Sequence, residues 1–187
     1  MFQRHPTEIR QTALDYIKNA NPDSYNQREI ESLIKLNHKA IEILHLLPAV
    51  TNDDHRNIAK CYRANAYYIR SIHDESRADD FETQCRHPLY IEYLKQGIFH
   101  LDAIPFAQQT MKDREHVDLS IDDIKQSCFY FGMPQEDVLG ESLLRISEKY
   151  DVHNTKTQLM DRLAQLFPDD HADVPLQHAK SITPTRA

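Results

Sequence analysis

Apolar residues recur at three- and four-residue intervals through most of this chain, and the strongest such stretch runs from Asp54 to Pro105. Within it, Ile58, Cys61, Tyr62, Asn65, Ile69 and Ile72 share one face of a helix predicted over Asn57–Ile72, with Tyr67 and Tyr68 thickening its aromatic side. A second helix, Leu89–Asp102, carries the matching stripe Ile91, Leu94, Ile98 and Leu101, and Gly97 leaves room for a close helix contact. Between them, His73 to His87 is dense in charge, with Phe81 as its one large apolar residue; it reads as a loop or as a solvated extension of the first helix.

The flanks follow the same period. Thr7, after Pro6, caps a short helix carrying Ile9, Ala13, Tyr16 and Ile17, and the stretch Asn19 to Asn26 is turn chemistry. A helix over Gln27–Leu47 turns Ile30, Leu33, Ile34, Ile41 and Leu44 inward and stops at Pro48. Beyond Pro105, Phe106 to Met111 is a short amphipathic piece. Ser120 with Asp123 has the spacing of a capping box opening a helix that ends at Gly132. Pro134 suits the first turn of a helix with Val138, Leu139, Leu143 and Ile146, and Thr155 with Gln158 caps a last one with Leu159, Leu163 and Leu166. The reading is all-α: an antiparallel helical bundle or a degenerate array of helix hairpins, with about six to eight helices. Residues 1–168 form a single helical domain, 119–168 a possible small C-terminal subdomain, and 169–187 a tail without apolar period, expected to be flexible.

Composition narrows the function classes. The 187 residues carry a formal charge of -7 and only 3 glycines, which suits a helical protein and opposes a phosphate-gripping surface. No apolar run approaches the roughly 18 residues of a membrane span, and the polar start at Met1 lacks the apolar stretch of a signal peptide. Cys61, Cys85 and Cys128 are odd in number and widely spaced, so a reducing, cytoplasmic location is expected, or a host cytosol for a delivered protein.

Two segments resemble known families. YRANAYYIRS, Tyr62 to Ser71, resembles the first helix of a tetratricopeptide repeat, with Ala64 at the small packing position and Tyr67 at the characteristic tyrosine. IEYLKQGIFHLDAIP, from Ile91, resembles the second helix, with Gly97 at its small position and Pro105 near its closing proline. KAIEILHLLP, from Lys39, looks like the second helix of a preceding repeat. Arg63 stands where a leucine is usual, and the charged insert breaks the period of about 34 residues. The resemblance implies a peptide-binding helical array in which Cys61, Asn65 and Tyr68 line the concave, partner-binding surface. The segment Leu119–Phe167 is similar to SAP- and LEM-like helix-loop-helix modules, its KxxLxxRL being Lys156, Leu159, Arg162 and Leu163. Such modules associate with DNA, yet Asp118 to Phe167 holds nine acids against five Lys and Arg, the wrong sign for phosphate.

Chemical signatures are sparse. No Gly-rich phosphate loop or GxSxG motif is present, and the eleven histidines are dispersed. His38 and His45 lie seven apart on one helix, two turns away. His55 with His73-Asp74 follows the order seen in HD-type phosphohydrolases, which implies a small metal-dependent hydrolase as one alternative. The favoured reading is a non-catalytic interaction module of adaptor, secretion-chaperone or bacterial-effector type, binding a protein or peptide segment, with no cofactor and no metal. A DNA-associated module is the other alternative. Asn65 is the polar residue in the central apolar stripe: it either bonds internally to orient a neighbouring helix or offers its amide to a bound peptide backbone.

Overall fold

A computed structural model describes residues 4–72 and 88–167. The charged insert, with His73 and Asp74, and the tail lie outside them. Six α-helices and no strand are present among the described residues, so the protein is all-α. They are α1 (Pro6–Ala20), α2 (Ile30–Leu44), α3 (Asn52–Ser71), α4 (Pro88–Asp102), α5 (Met111–Phe131) and α6 (Gln135–Leu166). Short 3₁₀ turns, Gln27–Glu29 and Phe106–Gln108, lead into α2 and α5. The chain divides into two compact units, Met1–Ser147 and Glu148–Ala187, and the division falls inside α6.

In the first unit, α1 packs on α2, α2 on α3, α3 on α4 and α4 on α5, a succession of antiparallel neighbours. The stripe residues Ile58, Cys61, Asn65 and Ile69 are buried on α3, as are Leu94, Ile98 and Leu101 on α4; Ile72 is exposed. One cluster joins Ala13 and Ile17 of α1, Ala40, Ile41 and Leu44 of α2, and Ile58 and Cys61 of α3. A second joins Ile30, Leu33 and Tyr68, with Ala64 packed at its edge. Gly97 does mark a close approach, because a Cβ there would lie 3.5 Å from the Ala59 carbonyl and 3.9 Å from Tyr62 Cβ. The small residue opposite Gly97 is therefore Ala59, and Ala64 faces the other cluster.

Helix starts depart most from the sequence reading. The central helix begins five residues earlier than expected, since Thr51 and Asp54 form a capping box: each side chain binds the other's backbone N–H. Thr110 and Asp113 form the same box at the start of α5, so Ser120 is a buried residue inside that helix and opens nothing. Gly132 ends α5 with φ 62°, the left-handed conformation glycine accepts without strain. Gly140 (φ 69°, ψ 170°) interrupts α6.

In the second unit, Glu148–Leu166 continues as helix. Thr155 caps nothing there. Its hydroxyl donates to the Asp151 carbonyl at 2.9 Å, as Thr157 does to His153 at 3.0 Å, so both serve mid-helix. Leu159, Leu163 and Leu166 of that segment are exposed. No helix among the described residues is long and apolar enough to cross a membrane.

Candidate functional site

The face of α3 expected to meet a partner is turned into the protein. Cys61 is fully buried, and burial pushes its thiol up to about 12, with Lys60 pulling slightly the other way; it is a packed, unreactive side chain. Asn65 is fully buried and accepts a hydrogen bond from Asn37 Nδ2 at 2.9 Å, while Asn37 Oδ1 accepts from Asn21 at 3.3 Å. These amides link the end of α1, α2 and α3. Tyr68 donates from its hydroxyl to the Ala20 carbonyl at 2.7 Å and meets Tyr25 edge to face, with centroids 5.0 Å apart. The three residues do share a face, and that face is covered by α1, α2 and the turn between them. The stripe period alone does not distinguish a groove from a core, because both place apolar and amide groups at the same spacing.

A cleft of about 560 Å3 opens instead between α1 and α3. Ala13, Leu14 and Ile17 of α1 and Leu44 of α2 supply its apolar part; Arg10, Thr51, Asp53, Asp54, Arg56 and Asn57 supply the polar part. Leu14 is 41% exposed at the edge of this cleft. Two arginine clamps set the rim. Arg10 reaches Asp54 through Nε (3.0 Å to Oδ1) and Nη2 (2.9 Å to Oδ2), and also binds the Ala49 carbonyl at 3.3 Å. Arg56 repeats this one hairpin later: Nε lies 3.0 Å from Asp113 Oδ2, and Nη2 donates to the Gln108 carbonyl at 3.0 Å. In both, a fork-shaped cation ties a capping-box aspartate to the carbonyl two residues before the cap. Burial opposes ionisation of Asp54, but Arg10 and the Thr51 hydrogen bonds outweigh it and hold its carboxyl below the ordinary value.

These clamps were not read from the sequence, though a signal was there. Each arginine sits five residues after a cap, His5 to Arg10 and Thr51 to Arg56, and each cap box has the spacing Thr-x-x-Asp. Ala40 and Pro48 on one side, and Gly97 and Pro105 on the other, keep the same separation of small residue and proline. The recurrence is an internal one, obscured by the charged insert between α3 and α4.

A second constellation lies where α2, α3 and α4 meet. His55 Nδ1 and His100 Nδ1 are 3.1 Å apart. The ring of His45 stacks on His100 at 6.0 Å, and Tyr62 stacks on it at 5.9 Å. His38 Nε2 lies 2.9 Å from the Tyr93 hydroxyl. α3 and α4 each contribute two of these rings seven residues apart, and α2 with its C-cap His45 does the same, so dispersed histidines converge although no single helix could bring them together. Burial, with His55 and His45 adding to it, lowers the His100 imidazole to about 4. Burial lowers His55 too, helped by His45 and opposed by Asp54. His55 therefore has His100 as its neighbour, and its imagined partners His73 and Asp74 fall outside the described residues. Among the described residues, no group of three or more His, Cys, Asp or Glu side chains is placed to hold a metal ion.

No protein-family model, no curated relative and no solved structure matches this chain.

Proposed function

We propose that the protein is an interaction module that holds an extended segment of a partner protein in the cleft between α1 and α3. The observation that carries this reading is the cleft itself: an apolar floor with exposed Leu14, bounded by oriented polar groups. Such sites take an apolar side chain on the floor and fix its orientation through a few hydrogen bonds at the rim. Asn57 offers a donor and an acceptor that suit a peptide backbone. The Asp53 side chain is 85% exposed and accepts from Arg56 Nη1 at 2.7 Å through Oδ1, so a basic residue beside the apolar anchor would share this carboxylate with Arg56. Arg10 and Arg56 are committed to aspartates, so their role is to hold the walls rather than to grip an anion.

Peptide-display selection against the intact chain tests this. Selected peptides should carry an apolar residue next to Lys or Arg. Leu14→Lys and Asn57→Ala should weaken their binding at least tenfold without lowering Tm. Selected peptides that bind both variants as they bind the wild type would place the partner elsewhere.

A further inference from the structure

We propose that the Nδ1 atoms of His55 and His100 form a two-nitrogen site for a borderline divalent cation of the Zn2+ kind, clasping α3 to α4. Independently of the cleft, this rests on the geometry of the pair. The two nitrogens approach to 3.1 Å from different helices, His55 in the first turns of α3 and His100 in the last turn of α4. Two imidazole nitrogens bound to one tetrahedral ion, each at about 2.0–2.1 Å, stand roughly 3.3 Å apart. The observed separation is thus close to the bite of a shared ion, as well as to that of a single shared proton.

The surroundings suit an ion at this point. The rings of Tyr62 and His45 both stack on that of His100 and restrain it. The His55 ring, 5.4 Å from that of His100 between centroids, is tilted 42° rather than stacked on it. Imidazole is a ligand for Zn2+, Ni2+ and Cu2+ rather than for Mg2+ or Ca2+, which prefer oxygen. With two protein ligands, water fills the remaining positions, and the ion exchanges with solvent.

The test is a Zn2+ titration of the full chain, stripped of metal beforehand, followed by Tm and by calorimetry. The expected result is one saturable ion per chain, with Tm rising by roughly 5–10 °C at a hundredfold excess of Zn2+ over its dissociation constant. His55→Gln and His100→Gln should each weaken binding at least tenfold, whereas His5→Gln, remote on the N-cap of α1, should bind as the wild type does. Absence of a Tm rise, or equal binding by both Gln variants, would overturn the proposal. A gain-of-signal variant covers the case in which a Gln variant folds poorly. His55→Cys with Co2+ should show a thiolate-to-cobalt charge-transfer absorption beyond that of the wild type, and its absence would overturn the proposal equally.

Discussion

The Arg10 guanidinium closes on the Asp54 carboxylate across 44 residues of sequence, with Nη2 2.9 Å from Oδ2. Asp54 is at the same time the third residue of α3 and half of its capping box. One carboxylate therefore starts a helix and fastens it to its neighbour, which couples the local structure of α3 to the placement of α1 and to the cleft between them.

Removing either partner should be costly. Asp54→Ala loses the cap and leaves Arg10 without its anion, and Arg10→Ala leaves a carboxylate whose side chain is only 3% exposed without its cation. Asp54→Ala should destabilise the protein by about 2–4 kcal/mol in urea unfolding, and Arg10→Ala should shift the midpoint in the same direction. Arg10→Lys keeps the charge but not the fork, and should recover less than half of the loss. An unfolding midpoint for Arg10→Ala equal to that of the wild type would mean that the clamp is a surface pair.

The amide pair in the core gives a second prediction. Asn65→Ala leaves Asn37 Nδ2 buried without its acceptor and should cost about 1–3 kcal/mol. Tyr68→Phe strands the Ala20 carbonyl and should cost about 1 kcal/mol. If these residues instead contact a partner, both variants keep their stability and lose affinity, and the burial described above would not govern their role.

Gly97 separates two sizes of substitution. A Cβ there would meet its nearest neighbours, the Ala59 carbonyl and His116 Nε2, at 3.5 and 3.6 Å, ordinary contact distances. Gly97→Ala should therefore be neutral or stabilising by up to about 1 kcal/mol, from helix propensity. Gly97→Leu has no room between α3 and α4, and should cost about 1–3 kcal/mol. Equal effects from the two would show that the helices separate freely.

Much of this architecture was legible. The stripes of α3 and α4, the stop before Pro48 and the left-handed end at Gly132 follow from period and backbone chemistry that act locally. The helix starts were less so. Ser120-x-x-Asp123 and Thr110-x-x-Asp113 are the same pattern on paper, and only packing decides which lies at a helix end. The Asn65 stripe carried a true signal, a polar group that needs a partner, but the partner was Asn37 on α2. The His55–His100 contact was not legible at all, since 45 residues and an inserted segment separate its members.

His116 sets a pH dependence. It is largely buried, with Arg63 adding to the effect of burial and Asp113 opposing it, and its imidazole is lowered to about 4. The unfolded chain takes up a proton near 6.5, while the folded chain resists it down to about 4. Stability is therefore fully present above about 6.5, and it falls as the pH drops from there to about 4, by about 1–3 kcal/mol from this group. His116→Gln should flatten that part of the profile of Tm against pH. An unchanged profile would mean that His116 protonates freely in the folded state.

Methyl-resolved NMR tests the cleft most directly. With a display-selected peptide added to the intact protein, the methyl signals of Leu14, Ile17 and Leu44 should shift and saturate together, and those of Leu159 and Leu163 should stay in place. Saturating shifts confined to the methyls around α6, with Leu14 and Ile17 unmoved, would contradict a partner segment between α1 and α3.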